Sequence, residues 1–397
     1  MTADTHSQMA GTVWADLVGQ DAAIATLARA ASEPQAMTHA WLLTGPPGSG
    51  RSNAAKAFAA ALLTPDHGAT LSAQAKRALA GTHESMTVMS TQKSVISIDE
   101  VRDIVGQAQA SPVNADWRVV IIEDADRMTE RTSNVLLKAI EEPPPATVWI
   151  LCAPSPQDVL TTIRSRCRNV NLRIPPVKAI AQLLSTRNGI DPEVAAWAAS
   201  AAQNHIGRAK YLATNAEARQ VREQILRIPL KLDSLGATVR LAGETLDQAA
   251  TRASDRTKDR NAKEKEELLH TLGVEPGKNP PPAVRSQIKR LEDEQKRRDS
   301  RARNDELDAM FLELLALYRD VLMWGMGEKE NLINVGDEQL IASIADASDP
   351  VTTLKQIEVL QLARTRLQTN TAPLLIVEAA FIGLSRPWSP AAQATGR

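Results

Sequence analysis

The segment HAWLLTGPPGSGRSNAA, at residues 39–55, constrains the fold of this chain more than any other. The apolar run AWLLT favours a buried strand, and the residues after the third glycine favour a helix. Between them, Gly45, Gly48 and Gly50 allow backbone N–H groups to turn inward around phosphate oxygens, next to the positive end of the helix. The segment therefore predicts the phosphate-binding loop of a nucleotide-binding α/β domain. A tight strand-to-helix turn that binds no ligand is the alternative.

The residues after the loop depart from the usual pattern G-x-x-x-x-G-K-[ST]. Arg51 occupies the lysine position, and Ser52 occupies the position of the hydroxyl that normally binds Mg²⁺. A lysine places a compact charge on the β- and γ-phosphates, whereas the planar, forked guanidinium of arginine cannot adopt that geometry unchanged. We therefore expect a loop that holds ATP or ADP without hydrolysing it, if it holds nucleotide at all. The sequence gives only weak support for Mg²⁺.

Strand-like apolar runs alternate with helical patterns from about residue 13 to residue 172. Besides AWLLT, the clearest runs are WRVVIIED and TVWILCAP, which are apolar almost throughout and favour strands buried on both faces of a parallel sheet. Helical patterns follow the glycine loop and occupy residues 98–109 and 130–142. The last pattern has Thr129 as its N-cap and stops at three prolines. This alternation predicts an α/β module with a parallel sheet.

After residue 176 the strand patterns disappear and the chain is helical to its end. The pattern predicts an α/β domain at residues 1–173, a small helical domain at 174–215 and a larger all-α domain at 216–397. Within the last domain, residues 251–304 contain fifteen Lys or Arg against ten Asp or Glu, a net charge of +5. A projecting helical hairpin, interrupted at GVEPGKNPPP, is the simplest interpretation of this charged insertion, with disorder as the alternative.

The composition excludes several classes of protein. The 397 residues carry a formal net charge of −1, which gives no overall attraction to nucleic acid or to a membrane. Cys152 and Cys167 are too few for a disulfide framework or a four-cysteine zinc site, so we expect no zinc. No apolar run approaches the roughly 20 residues that cross a bilayer, and no basic segment followed by an apolar core marks the N-terminus. We therefore expect a cytoplasmic protein.

The strand-like run in VVIIEDADRM ends in two carboxylates. Folds with a phosphate-binding loop place here an aspartate that coordinates Mg²⁺, followed by a glutamate that polarises water. In this chain the order is Glu123 and then Asp124. The exchange moves each carboxylate by about one C–C bond, and a displacement of about 1 Å can cost about a hundredfold in rate. Glu123 and Asp124 are therefore candidate residues of a weakened site.

Three further motifs give the chain a specific resemblance. Ser165-Arg166-Cys167, together with NVLLKAIEEPP at residues 134–144 and DLVGQ at residues 16–20, resembles the clamp-loader branch of the AAA+ ATPases. The resemblance covers the N-terminal module closely and the helical remainder in outline. It implies an AAA+ module followed by a small lid domain and an all-α collar domain. It also implies that Arg166 is an arginine finger that projects into the ATP site of a neighbouring subunit.

The same family has two sensor positions. The first is a polar residue after the strand that precedes Ser-Arg-Cys. Here it falls at Ala153 or Pro154, neither of which can hydrogen-bond a water or a γ-phosphate through its side chain. The second lies in the lid, where the segment NHIGRAK resembles it and places Arg208 in that role.

The departures from the family pattern all fall on the hydrolytic site, while Arg166 is intact. The resemblance therefore implies a non-hydrolysing stator subunit of the DNA polymerase III clamp loader, which helps to load the sliding clamp onto primed DNA. Its partners would be the gamma/tau ATPase and delta subunits, the clamp and the DNA, with no membrane. An active AAA+ motor, either a clamp-loader ATPase or a helicase-like protein, is the alternative. DNA binding through residues 251–304 is compatible with the stator.

Overall fold

The computed structural model describes residues 11–91, 95–272 and 282–385. They divide into two units, the first ending at Asn215 and the second beginning at Ala216. The interruption predicted at GVEPGKNPPP lies, apart from its last proline, outside the described residues.

Five parallel strands form the sheet of the first unit, in the order β2-β3-β4-β1-β5. They are β1 (Ala40–Thr44), β2 (Met86–Met89), β3 (Arg118–Ile122), β4 (Thr147–Ala153) and β5 (Arg168–Asn171). The three middle strands are buried along their whole length. Burial on both faces explains why their sequences are apolar at consecutive positions. The predicted α/β module with a parallel sheet is confirmed.

Helices cover both faces of this sheet. The helices of the first unit are α1 (Asp21–Ser32), α2 (Arg51–Leu63), α3 (Ala73–Ala80), α4 (Ile98–Ala108), α5 (Glu130–Glu141), α6 (Thr161–Arg164), α7 (Val177–Asn188), α8 (Pro192–Ala201) and α9 (Ile206–Thr214). Successive residues of β1 point to opposite faces of the sheet and belong to different apolar cores. Trp41 packs with α2, whereas Leu42 packs with α4 and α5. On the α2 side, the rings of Trp41 and Phe58 meet edge to face, with their centroids 5.0 Å apart.

The parallel strands bring three predicted site segments to one edge of the sheet. Thr44 at the end of β1 pairs with Ala153 at the end of β4, and Ile122 at the end of β3 pairs with Leu151. The glycine loop, the two carboxylates and the predicted sensor position follow these strand ends directly. They therefore lie side by side, where ligands bind in open α/β sheets.

The second unit is helical throughout its described residues. It contains α10 (Ala216–Leu226), α11 (Leu235–Thr271), α12 (Pro282–Gly325), α13 (Glu338–Ala345), α14 (Pro350–Leu367) and α15 (Pro373–Leu384). None of the helices that the structure describes is both long and apolar enough to cross a membrane.

The described residues of the charged segment 251–304 form the outer parts of α11 and α12, which pair as a hairpin. The helices run antiparallel, since Arg252 pairs with Glu306 at one level and Lys265 pairs with Glu292 further out. α11 begins and α12 ends inside the apolar core of the unit, so the segment extends two core helices. The charged residues of the hairpin therefore continue elements that the core already fixes.

Candidate functional site

The loop between β1 and α2 has the shape that its glycines predict. Gly48 and Gly50 have φ values of 87° and 86°, in the left-handed region that favours glycine. At Gly45, an added Cβ would lie 2.6 Å from the carbonyl oxygen of Leu172 and 2.6 Å from the hydroxyl of Ser49. Only glycine fits at this point, so the sequence fixes a tight turn against the residue that follows β5.

Backbone N–H groups of the loop form a cradle for an anion. The N–H of Gly45 is used, since it contacts two carbonyl oxygens at the end of β4 at 3.2 and 3.3 Å. Four others have no hydrogen-bond partner within the described parts of the chain, namely those of Gly48, Gly50, Arg51 and Ser52. Unpaired donors at the start of a helix, where the helix dipole is positive, suit a phosphate group. The backbone therefore fits the phosphate of a nucleotide.

The side chain of Arg51 contacts its own loop. One guanidinium nitrogen, Nη1, donates a hydrogen bond to the carbonyl oxygen of Gly45. A lysine at this position would carry a compact ammonium group to the β- and γ-phosphates. Arg51 instead uses part of its guanidinium to brace the first turn of the loop.

The two carboxylates after β3 each face a cation of the same chain. An oxygen of Glu123 lies 3.6 Å from Nζ of Lys56 on α2. Asp124 is in the left-handed conformation, with a φ of 57°, and an oxygen lies 3.8 Å from Nε of Arg127. A Mg²⁺ ion would have to compete with both cations, so these carboxylates do not fit a ready Mg²⁺ site. No three His, Cys, Asp or Glu side chains elsewhere in the described ranges are grouped to hold a metal ion.

The pKa of a buried thiol depends on the charges of this site. Burial, above all, raises the pKa of Cys152 on β4 to about 12. The carboxylates of Glu123 and Asp124 raise this pKa further, and the cations of Arg51 and Lys56 lower it. Charged groups of α2 and of the end of β3 therefore both influence the titration of this thiol.

Gln20 ties the loop to two other segments. Its Nε2 donates to the carbonyl oxygens of Ser49, at 3.1 Å, and Arg173, at 2.6 Å. Its Oε1 accepts a hydrogen bond from the N–H of Arg173 at 3.1 Å. The side chain is buried, so its amide needs these partners. The motif DLVGQ predicts no role for Gln20, because no local pattern shows which distant backbone groups an amide will meet.

The segment NHIGRAK lies against the loop. His205 is the N-cap of α9, and its Nδ1 accepts a hydrogen bond from the N–H of Arg208 at 3.3 Å. A Cβ added to Gly48 would lie 3.2 to 3.3 Å from atoms of His205. Burial, helped by the charge of Arg208, lowers the pKa of His205, which favours the neutral ring that can accept this bond. The sequence motif pointed to Arg208 and not to His205, which lies against Gly48 of the loop.

The first sensor position carries no polar side chain. Ala153 is buried and Pro154 follows it, and their carbonyl oxygens accept the N–H of Gly45. Ser155 is committed to its own turn, where its hydroxyl contacts Gln157. The end of β4 therefore holds the loop in place through backbone groups.

Arg166 lies one residue beyond Ser165, the C-cap of α6, and its side chain is 41% exposed. Its Nη2 is 2.6 Å from an oxygen of Glu141, at the end of α5. Its Nη1 donates to the carbonyl oxygen of Thr162 at 2.8 Å and to the hydroxyl of Ser165 at 3.3 Å. The guanidinium therefore contacts α5 and α6 rather than the loop of its own chain. The neighbouring Cys167 is an inert packing residue, since burial raises the pKa of its thiol to about 12.

Comparisons with known proteins identify the module that carries these residues. Residues 19–176 match a protein-family model described as "DNA polymerase III, delta subunit". Over 153 residues the chain is 35% identical to DNA polymerase III subunit delta' of Pseudomonas aeruginosa, which covers 37% of this chain and 47% of that protein. Over 161 residues it is 30% identical to DNA polymerase III subunit tau of Bacillus subtilis, which covers 40% of this chain and 28% of that protein. The α/β module of this chain therefore resembles the clamp-loader subunits of DNA polymerase III.

The chain spans 47% and 28% of the length of these two relatives. The family match at residues 19–176 lies almost wholly in the α/β module. Among solved structures, a DNA polymerase III gamma subunit-related protein from Thermotoga maritima is 18% identical to this chain. The match covers 87% of this chain and 99% of that one, with a TM-score of 0.36.

The α/β module brings most of the predicted site residues together. The loop, the two carboxylates and the segment that contains Arg208 meet around the carboxyl edge of the sheet. Arg166 has its contacts elsewhere, on α5 and α6. The sequence motifs therefore describe two features of one module, a glycine loop that fits a phosphate and a separate exposed arginine.

Proposed function

We propose that this chain is a non-hydrolysing stator subunit of the DNA polymerase III clamp loader. It donates Arg166 to the ATP site of a neighbouring subunit while the sliding clamp is loaded onto primed DNA. The observation that carries the proposal is a contrast within one module. The groups needed for hydrolysis are engaged with their own chain, whereas Arg166 is partly exposed and contacts neither the loop nor the carboxylates.

The proposed role of Arg166 is electrostatic. When ATP is cleaved, negative charge develops on the oxygens of the transferring phosphoryl group. A guanidinium from a neighbouring subunit stabilises that charge without taking part in bond making. Arg166 suits this role because a guanidinium stays protonated and offers paired N–H donors to phosphate oxygens.

The proposed role of the chain's own loop is passive. The N–H groups of Gly48, Gly50, Arg51 and Ser52 can hold a phosphate of ATP or ADP. The bound nucleotide would add negative charge to the site and would not be hydrolysed. Glu123 and Asp124 are occupied by Lys56 and Arg127, so we propose no bound Mg²⁺. We also propose no zinc, because Cys152 and Cys167 are too few for a four-cysteine site.

The proposed partners follow from the clamp-loader relatives. We infer a hetero-oligomer with the gamma/tau ATPase and delta subunits, in the cytoplasm, where the second unit serves in a collar. The clamp and primed DNA are the ligands of that assembly.

An active AAA+ motor is a second candidate function. The observations that favour it are the complete backbone cradle and the 30% identity to subunit tau of Bacillus subtilis. Hydrolysis by this chain would require Glu123 to leave Lys56 and take up a catalytic role.

ATP turnover by the purified chain separates the two candidates. For the stator we expect no hydrolysis above the buffer rate, with or without DNA, and nucleotide binding that does not change when Mg²⁺ is removed. Hydrolysis that Glu123→Gln abolishes would contradict the stator and establish the motor. Glu142→Gln, at an exposed residue outside the site, is the matched control.

A further inference from the structure

We propose that Glu141 is a positioning residue for Arg166. This inference rests on the proposed role of Arg166 as an arginine finger. The carboxylate of Glu141 lies 2.6 Å from Nη2 of Arg166, and the two residues belong to different helical segments. No role follows for Glu141 from the sequence, where it is one of two adjacent glutamates before three prolines.

The contacts of Arg166 leave part of its guanidinium unused. The group has five N–H donors. Two on Nη1 contact the carbonyl oxygen of Thr162 and the hydroxyl of Ser165, and one on Nη2 faces Glu141. Nε and the second Nη2 hydrogen have no partner among the described residues. Two donors of one guanidinium are enough for the forked contact that arginine makes with phosphate oxygens.

The position of Glu141 on its helix explains why it faces an arginine. Glu141 is the last residue of α5, which stops before the prolines. A carboxylate at this end of a helix is unfavourable, because the helix dipole is negative there. The guanidinium of Arg166 offsets both the dipole and the carboxylate. It also satisfies the carbonyl of Thr162, one of the end groups of α6 that lack a helical partner.

The contact acts on geometry more than on stability. Both side chains are about 40% exposed, at 41% and 39%, so the ion pair adds little to folding. An unrestrained arginine samples many rotamers and loses this conformational entropy when it docks. A catalytic group that is already held in place avoids the loss. Three contacts from two helical segments therefore hold the finger in one orientation before the neighbouring subunit arrives.

The test uses the reconstituted clamp loader with its clamp and primed DNA, and measures kcat and KM for ATP. With Glu141→Ala we expect kcat to fall by about three- to tenfold while KM changes by less than about twofold, because the loss falls on the step that the finger assists. Glu141→Gln keeps an acceptor without the charge and should give an intermediate kcat. Glu142→Ala is the matched control, since Glu142 is exposed and next in sequence.

The double variant Arg166→Ala/Glu141→Ala shows whether Glu141 acts through Arg166. We expect it to have the kcat of Arg166→Ala alone, because a positioning residue has no effect without the group that it positions. An unchanged or increased kcat in Glu141→Ala, where Arg166→Ala lowers kcat, would overturn this inference and leave the stator intact. A further loss in the double variant would also overturn it. If Arg166→Ala itself leaves kcat unchanged, the proposed function fails and the role of Glu141 fails with it.

Discussion

Single residues outside the glycine motif hold the glycine loop in place. Gln20 reaches the loop from the start of α1, and His205 reaches it from the start of α9. Both side chains are at helix starts, and both make contacts with segments distant in sequence. The loop is therefore stabilised by the surrounding module as well as by its own glycines.

Gln20→Ala should destabilise the α/β module. The change removes three hydrogen bonds and leaves the buried carbonyl oxygen of Ser49 and two partly buried backbone groups of Arg173 without this partner. We expect a loss of about 2–4 kcal/mol in the free energy of unfolding, measured by urea denaturation followed by circular dichroism. Gln107→Ala, at an exposed site on α4, should change it by less than about 0.5 kcal/mol. Equal effects of the two substitutions would contradict the role given to Gln20.

Stability should fall as the pH drops below about 6.5, the ordinary pKa of histidine. The pKa values of His205 and His83 are lowered in the folded chain, in both cases mainly by burial. In this range the unfolded chain therefore binds protons that the folded chain does not, and acid favours unfolding. The double variant His83→Asn/His205→Asn should show a smaller loss of stability between pH 7.5 and pH 5.5.

The control for this prediction is His67→Asn. His67 is exposed and has a positive φ, which asparagine tolerates. A double variant with the same pH slope as the wild-type chain would contradict the prediction.

The glycine loop was predictable from sequence because its chemistry is local. The spacing of Gly45, Gly48 and Gly50 predicts the turn, and the structure confirms that turn. The partners Lys56 and Gln20 could not be predicted, since each meets the site through tertiary packing. Lys56 also lies off the helical face of Arg51, so periodicity along α2 does not connect them.

Some secondary-structure elements could be predicted from their own residues, and others depend on pairing with distant segments. The apolar runs predict β1, β3 and β4, and the structure confirms these strands within two residues at each end. The strands β2 and β5 gave no such signal, because they are short edge strands with exposed or half-buried residues. Their pairing with buried neighbours defines them. The cap at Thr129 is confirmed, since its side chain accepts the N–H of Thr132 at the start of α5.

A buried ionic cluster joins the elements of the second unit. Arg222 on α10 is 4% exposed, and its Nε lies 3.2 Å from an oxygen of Glu313 on α12. The same guanidinium contacts Asn334, and its Nη1 lies 3.7 Å from an oxygen of Asp337. The cluster fixes α10 and the segment before α13 against α12.

Arg222→Met should destabilise the second unit by about 3–5 kcal/mol, because it leaves Glu313 buried beside an uncharged side chain. The double variant Arg222→Met/Glu313→Leu should recover most of that loss, since it removes the buried carboxylate as well. Both are read from thermal and urea unfolding of the full chain. A single variant as stable as the wild type, or a double variant less stable than the single one, would contradict this account.

Over the whole chain, the groups proposed to bind a phosphate are separate from the arginine proposed to reach a neighbouring subunit. The loop, the carboxylates and His205 surround one edge of the sheet, and Arg166 is held by α5 and α6. In the proposed assembly, the chain's own loop would hold nucleotide passively, and Arg166 would act in the ATP site of the next subunit. The helical unit from Ala216 onward would contribute to assembly through its own surface.

The most direct test of this account is clamp- and DNA-stimulated ATP turnover of the reconstituted loader, compared between the wild-type chain and Arg166→Ala. The account predicts a fall of about tenfold or more, because an arginine finger contributes about 10³–10⁵ in rate at the site it serves. Arg168→Ala, an exposed arginine two residues away, should leave turnover close to wild type. Unchanged turnover in Arg166→Ala would contradict the central claim that this chain completes the ATP site of its neighbour.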